Sequence, residues 1–339
     1  MPLRYNSFLA KILPAARQLA PLPATGLCAV LALAAGFYAA WSGEGGRALA
    51  ATLATFTMFL FVMLLAASRG VKEQITSRVG SGSGILLSVT LLLAYLIYVL
   101  GTNNFALARV AAMLALIFVP LALALSAERR PPGAWQDLAI VASVWVIVKF
   151  SPARWFWPYP GGKLSYAFTV LLMVNVGIAV FLLTRRLADV GYSIDWGYRW
   201  SLYTAGSFLA FGCVAIPLGL AMHFIQFAQR WSSLASLPLA TLGILIFTAW
   251  PEEFLFRGLL QNMLSQKSKS DFAAWCFASV LFGLSHITNG HFPNWRYVLL
   301  ATIAGLFYGW TWRKTGSIFA SAVVHALVDA TWHFFFRTL

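Results

Sequence analysis

The C-terminal part of the chain places ionisable side chains inside long apolar stretches. They are Glu252, Glu253, Arg257, His286, His325 and Asp329. An ionisable side chain in a bilayer costs roughly 2.5–3.5 kcal/mol to insert, so such residues face the protein interior, pair with one another and usually serve a function. Carboxylates and imidazoles exchange protons readily, which suits them to acid–base chemistry on a bound water.

The first group lies in the segment PEEFLFR, which runs from Pro251 to Arg257. Residues four apart share one face of a helix, so Glu253 and Arg257 are predicted to form an ion pair. Glu252 is turned by about 100° from its neighbour and is left free for chemistry. Taken alone, the segment fits a purely structural ion pair with a spare carboxylate equally well.

Two further groups follow along the chain. His286 comes one helical turn after Phe282, near the end of a predicted helix, and His325 precedes Asp329 by four residues. That spacing aligns an imidazole and a carboxyl on one helix face. Each group also has a structural interpretation, because a lone histidine is usually a satisfied core residue and a carboxylate often only orients a histidine.

Distance from the predicted turns indicates that the three groups share one depth. Two polar turns, Asn262–Asp271 and Arg313–Gly316, lie on the same side of the predicted membrane. Counted from these turns, Glu253, His286 and Asp329 all lie about 18–21 Å deep. We therefore expect three helices to bring the carboxyls and imidazoles together.

In order, these groups read EExxxR, FxxxH and HxxxD, a pattern that resembles the CPBP family of CaaX proteases and bacteriocin-processing enzymes, also called the Abi family. The resemblance covers roughly Asp195–Leu339. It implies an intramembrane endopeptidase of the glutamic type. Glu252 would be the general base that activates water, assisted by His286. His325 and Asp329 would stabilise the oxyanion of the tetrahedral intermediate.

Supporting roles are implied for Glu253, Arg257 and Phe282. The chain departs from the family at Asp329, where the eukaryotic CaaX proteases have Asn. An ionised Asp cannot donate to an oxyanion. Asp329 is therefore expected to be protonated, to orient His325, or to bind a metal.

No cofactor is expected from the residue pattern. The alternative is a catalytic zinc, for which Glu252, His286 and His325 could supply three ligands and leave a fourth position open. Against this alternative, the sequence lacks an HExxH motif.

The elements that must position these residues are predicted to be transmembrane helices. The chain has 339 residues, of which 60% are hydrophobic and only 10% charged, and its mean hydropathy is +0.77. A soluble domain has about 25% charged residues. The sequence therefore predicts an all-α polytopic bundle of about ten or eleven spanning helices.

Each predicted span has about 20 mostly apolar residues, the length that crosses a bilayer. The ten spans are Ala24–Trp41, Ala48–Ala67, Gly84–Leu100, Phe105–Leu125, Leu164–Thr184, Leu202–His223, Leu237–Leu260, Phe272–Ile287, Tyr297–Trp312 and Ser317–Phe336. An eleventh helix, Trp135–Phe150, either spans the membrane or lies in its interface. Basic residues in the first 21 positions predict a cytoplasmic N-terminus.

A charged, aromatic stretch at Thr184–Trp200 suggests two regions. Residues 1–190 form an N-terminal transmembrane region of unknown role, and residues 191–339 form the protease-like domain. The net charge of +14 is attributed to cytoplasmic loops and anionic headgroups. The expected partners are membrane lipids and a peptide or membrane-protein substrate, without nucleic acid, and the expected location is a bacterial inner membrane.

Two other function classes fit a buried charge cluster. In an ion- or proton-coupled transporter, a relay would spread ionisable groups along the membrane depth and interrupt helices in matched halves. In a membrane scaffold without catalysis, the cluster would be structural. The ionisable groups are predicted to lie at one membrane depth and only in the C-terminal half of the chain. This arrangement favours the protease.

Overall fold

A computed structural model describes residues 22–41, 43, 45–68, 70–194, 196–228 and 231–339. The described chain is helical almost throughout, which confirms the all-α prediction. Its α-helices are α1 (Leu22–Trp41), α2 (Gly46–Ala66), α3 (Val71–Val79), α4 (Ser83–Gly101), α5 (Leu107–Ser126), α6 (Trp135–Phe150), α7 (Ala153–Phe156), α8 (Gly162–Gly177), α9 (Tyr198–Ala221), α10 (Leu237–Ile244), α11 (Trp250–Glu253), α12 (Asn262–Ser268), α13 (Asp271–Leu284), α14 (Trp295–Thr315) and α15 (Ile318–Phe335).

Other backbone forms connect or extend these helices. Turns of 3-10 helix occupy Gly80–Gly82 and Trp231–Ser236, and π-helix occupies Ile178–Thr184, Leu245–Ala249 and Phe254–Gln261. Two short strands, β1 (Ile225–Phe227) and β2 (Phe336–Thr338), pair antiparallel, a feature that the sequence did not predict.

Among the described residues, eight helical stretches are long and apolar enough to cross a membrane. They are Ala24–Trp41, Gly46–Ala66, Ser83–Gly101, Leu107–Ser126, Leu164–Thr184, Tyr198–Ala221, Leu234–Ser268 and Ile318–Phe335. The chain is therefore an integral, multi-pass membrane protein. The predicted count of ten or eleven is higher, because α13 has only 14 residues, α6 has 16, and α14, although it has 21, is not among the eight.

The chain divides into two compact units. The first unit comprises the described residues up to Ala122 together with Pro152–Thr184, and the second comprises Leu123–Ser151 and Arg185–Leu339. The second unit thus contains α6, which precedes the boundary near residue 190 expected from the sequence. The basic residues that predict the orientation of the N-terminus lie outside the described residues.

The first unit is built around α8 and its π-helical extension. Residues 167–184 are all buried. Aromatic rings pack beside this helix, with Trp157 stacked on Phe168 at a centroid distance of 4.9 Å and in edge contact with Tyr95 at 5.1 Å. Asn175 donates through Nδ2 to the carbonyl oxygen of Phe59 at 2.9 Å. In the described part of this unit, the buried polar side chains are Ser, Thr and Asn only.

Helix boundaries in the second unit follow from local side-chain chemistry. Ser270, Asn294 and Ser317 cap α13, α14 and α15, because a side-chain oxygen of each accepts a hydrogen bond from a backbone N–H of the first helical turn. Gly316 ends α14 in the left-handed region at φ 66°. These caps fix where the three helices that carry the candidate site begin and end.

Small residues bring α13 and α14 into close contact. A Cβ on Gly305 would lie 3.1 Å from the Cα of Ser279, and one on Gly283 would lie 2.7 Å from the carbonyl oxygen of Val298. Such close approach of helix backbones is typical of membrane proteins, where packing replaces the hydrophobic driving force. The contact fixes the position of the end of α13. The second predicted motif begins there, at Phe282, and reaches His286 in the loop that follows.

Candidate active site

Glu253 is the centre of a fully buried polar network. Its Oε2 lies 3.1 Å from Nε of Arg257, which confirms the predicted ion pair, and it accepts a hydrogen bond of 2.6 Å from Oγ of Ser321. Its Oε1 lies 3.0 Å from Nδ1 of His325. Helices α11, α15 and the π-helical segment between α11 and α12 supply these groups. Both oxygens of this carboxylate are therefore occupied.

The guanidinium of Arg257 is held by the backbone and by aromatic rings as well. Its Nη2 donates to the carbonyl oxygen of Gly305 at 3.2 Å. Its Cζ lies 4.6 Å from the ring centre of Phe282 and 5.6 Å from that of Tyr308, which are cation–π distances. Phe282, for which a supporting role is expected, thus contacts Arg257 directly.

His325 lies between carboxylates on both sides of its ring. While Nδ1 faces Glu253, Nε2 lies 3.5 Å from Oδ2 of Asp329 and 3.9 Å from Oε2 of Glu252. The ring is stacked on Tyr308 at a centroid distance of 4.6 Å and an angle of 17°. The predicted common face of His325 and Asp329 is confirmed, and the contact of His325 with Glu253 was not predicted.

Glu252 differs from its neighbour in having a free oxygen. Its side chain is 30% exposed, whereas that of Glu253 is fully buried. Within the described part of the chain, its Oε2 is buried and has no hydrogen-bond partner. Nε2 of His325 lies 3.9 Å from this oxygen, which is beyond hydrogen-bond distance. This carboxylate is therefore available to a small molecule such as water.

His286 lies just beyond α13, which ends at Leu284 and not at the predicted Ile287. Its Nδ1 lies 2.8 Å from the carbonyl oxygen of Phe282, so this nitrogen carries the proton of that hydrogen bond. Its ring contacts Phe282 at 4.9 Å and Tyr297 at 5.1 Å. The helix ends early because the loop that follows makes its own backbone hydrogen bonds.

Phe282 lies between the two histidines and contacts both, the second contact being 5.6 Å from the ring of His325. Both imidazoles face a cavity of roughly 270 Å³ that Asp329, Tyr297 and Tyr308 also line. His333 lines the same cavity. The three motifs thus converge in space.

Sequence reasoning missed three residues at this site, Ser321, Tyr308 and Lys149. Ser321 precedes His325 by four residues, so the helix period could have placed it on the same face. Lys149 is an ionisable residue near the end of the apolar helix α6, and the rule that selected Glu252 applies to it as well. For Tyr308 no sequence signal was available, since its contacts come from packing alone.

Among the described residues, no group of three or more His, Cys, Asp or Glu side chains has an arrangement that could hold a metal ion. The donor types named in the zinc alternative, Glu252, His286 and His325, are nevertheless of the kind that zinc binds. Both the zinc alternative and the expectation of no cofactor stay predictions.

Comparison with known proteins gives one match. Residues 234–331, less than a third of the chain, match the model of the Rce1-like family, described as type II CAAX prenyl endopeptidases. No curated protein and no solved structure matches the chain. The matched segment contains all three motifs, from Glu252 to Asp329. Residues 234–331 of the chain are therefore similar to the Rce1-like proteases, a family of hydrolases, in agreement with the resemblance to the CPBP family.

Proposed function

We propose that the chain hydrolyses a peptide bond within or near the membrane, with a water molecule that Glu252 activates. The observation that carries this proposal is the unequal environment of two adjacent carboxylates. Glu253 is bound on both oxygens, whereas a buried oxygen of Glu252 has no partner in the described chain. A general base needs an oxygen within hydrogen-bond reach of the water whose proton it takes.

His325 is proposed to stabilise the oxyanion that forms when water adds to the carbonyl carbon. Its Nδ1 faces the carboxylate of Glu253, so Nε2 is also a donor, toward the oxyanion, in the imidazolium form, in which both ring nitrogens carry a proton. A donor already aimed at the developing charge stabilises the transition state without further reorganisation. Asp329, 3.5 Å from Nε2, is proposed to orient the ring and not to contact the oxyanion.

His286 is proposed to assist Glu252 in moving the proton. With Nδ1 bound to the carbonyl of Phe282, its Nε2 is the basic nitrogen. The water oxygen bonds to the carbonyl carbon, the proton passes to Glu252, and the C–N bond then breaks. The leaving nitrogen takes that proton, so the immediate products are a carboxylic acid and an amine, and transfer of the acid's proton to the amine gives a carboxylate and an ammonium.

The substrate class is proposed to be a membrane-associated peptide or protein. The family description names CAAX prenyl endopeptidases, and His286 and His325 both line the cavity described above. Membrane lipids are the other proposed partners, and nucleic acid is not. Because outer-membrane proteins of bacteria are β-barrels and this chain is a helical bundle, a bacterial inner membrane is the proposed location.

The decisive variant is Glu252→Gln, which keeps the shape of the side chain and removes its basicity. In the purified protein, cleavage of a prenylated CAAX peptide should fall by about 10²- to 10⁴-fold, the usual contribution of a general base. The thermal unfolding temperature should not change. Glu128→Gln, at an exposed position outside the site, is the matched control. Full turnover by Glu252→Gln would refute the proposed base.

A cellular experiment does not depend on the choice of peptide. Peptide termini are compared between cells that produce the wild type and cells that produce Glu252→Gln at the same level. A set of new N-termini next to membrane segments should be present only with the wild type. Identical terminus profiles would contradict the proposal.

A further inference from the structure

Lys149 is a cation beside the site that the mechanism above does not use. It is the last residue but one of α6, after the run from Leu138 to Val148, which is apolar apart from Ser143. Its side chain is partly buried, and its Nζ donates to Oδ1 of Asn289 at 2.6 Å. Helix α6 packs against the π-helical segment Phe254–Gln261, which directly follows the two glutamates.

The loop that receives Lys149 is the one that follows His286. The backbone N–H of Asn289 donates to the carbonyl oxygen of His286 at 2.9 Å, and Nδ2 of Asn294 donates to that of Asn289 at 2.8 Å. The ammonium is thereby fixed close to the reacting groups. Its charge interacts with that of Glu252 and with His286.

The ammonium has unused hydrogen-bonding capacity. It has three N–H donors, and its one hydrogen bond in the described chain goes to a neutral amide. No described carboxylate lies within ion-pair distance of it. A neutral side chain could hold the loop that contains Asn289 without the free-energy cost of placing a charge in an apolar helix. The charge therefore fits a ligand that arrives with its own negative charge.

We propose that Lys149 is a specificity-determining residue that binds a carboxylate of the peptide substrate. This inference rests on the proposed function. The site otherwise presents the carboxylates of Glu252 and Asp329, which would repel an anionic peptide. Lys149 attracts it and fixes its position. The preferred substrates are peptides with a carboxylate near the cleaved bond, either the C-terminus or an acidic side chain.

Three prenylated CAAX peptides test the proposal: one with a free C-terminal acid, one with a C-terminal amide, and an amide whose last residue is Asp. The wild type should show a lower KM for the acid than for the plain amide. Lys149→Met should raise KM for the acid by about tenfold, since a charge-assisted hydrogen bond is lost. The readout is the ratio of the two KM values, because loss of the ammonium can lower turnover of acid and amide alike. This ratio should fall toward one in Lys149→Met, and Lys149→Arg should restore most of the preference.

The matched control is Lys267→Met. Lys267 also tethers a neutral acceptor, the carbonyl oxygen of Gly133 at 3.0 Å, but it lies on α12 away from the site. It should leave the acid preference intact. Asn289→Ala removes the tether and keeps the charge. If Lys149 were only a tether, Lys149→Met and Asn289→Ala would impair acid and amide equally, which would overturn the proposal.

Binding measurements separate this inference from the proposed chemistry. The binding affinity of the same peptides is measured with the variant Glu252→Gln, in which cleavage is expected to be slow, and with the double variant that also carries Lys149→Met. Tighter binding of the acid than of the plain amide, if Lys149→Met abolishes it, supports the inference even if Glu252 proves not to be the base. A Lys149-dependent preference for the Asp-ending amide alone would identify a side chain as the source of the carboxylate. Equal binding or equal KM of acid and amide in the wild type, or no binding of any of the peptides, would overturn it.

Discussion

The two units satisfy their buried polar groups in different ways. In the first unit, neutral side chains donate to backbone carbonyls of neighbouring helices, as Thr55 does to Ala94 at 2.9 Å and Asn175 to Phe59 at 2.9 Å. In the second unit, a buried carboxylate, a guanidinium and an imidazole contact one another. Neutral hydrogen bonds join helices at little cost, whereas buried charges are expensive and are retained where they serve a function.

Not every buried charge in the second unit belongs to the site. Arg185 forms an ion pair of 2.8 Å with Asp137 and donates further hydrogen bonds to the carbonyl oxygens of Arg130 and Pro131. This pair is saturated like Glu253, and it fixes a loop. What distinguishes Glu252 is its unbound oxygen. Incomplete pairing of this carboxylate, more than its burial, supports the role proposed for Glu252.

The largest effect on stability is expected from Arg257→Met. It leaves the carboxylate of Glu253 buried without its main counter-charge, and removing one partner of a buried pair costs about 3–5 kcal/mol. The free energy of unfolding in detergent should fall by that amount, and activity should be lost. Adding Glu253→Gln should recover part of the stability, because the stranded charge is then removed. Unchanged stability of Arg257→Met would show that the buried charges of the second unit are no more costly to disturb than the neutral groups of the first.

An intermediate effect is expected from Gly283→Ala, which tests packing in the second unit without touching a charge. Its methyl group would lie 2.7 Å from the carbonyl oxygen of Val298. Overpacking of this kind costs about 1–3 kcal/mol. Turnover should also fall, because the end of α13 positions His286. Gly206→Ala is the control, since a Cβ there meets nothing within 4 Å. Equal behaviour of the two variants would show that the helix contact is not tight.

The smallest effect is expected in the first unit, from Asn175→Leu. Two hydrogen bonds are lost, to Phe59 and to Leu171, but the new side chain has a similar size and leaves no charge behind. We expect a loss of about 1 kcal/mol of unfolding free energy and no change in turnover per folded molecule. A large fall in turnover would mean that the first unit influences the reaction, so that the two units would be functionally coupled.

Local rules predicted much of this structure. Runs of apolar residues predicted the spans, and the four-residue period predicted the pairing of Glu253 with Arg257 and the shared face of His325 and Asp329. Contacts between distant segments were beyond these rules. Glu253 and His325 are 72 residues apart, and only the packing of α11 against α15 brings them together.

Two other features escaped prediction for related reasons. The early end of α13 depends on hydrogen bonds within the loop that contains Asn289 and Asn294, which apolar periodicity does not report. The place of α6 in the second unit depends on tertiary contacts, because its sequence is mostly apolar like those of the long first-unit helices and does not mark it as different. Lys149 was overlooked along with it.

The division of the second unit along the chain has a consequence for synthesis. Helix α6 leaves the ribosome before Pro152–Thr184, yet it folds with segments made afterwards. Asp137 precedes its counter-charge, Arg185, by 48 residues. During that interval the nascent chain carries an uncompensated acid and an unpaired Lys149 on one helix. We therefore expect final insertion of α6 to follow the synthesis of Arg185, so that a stalled or truncated chain would expose this helix to membrane quality control.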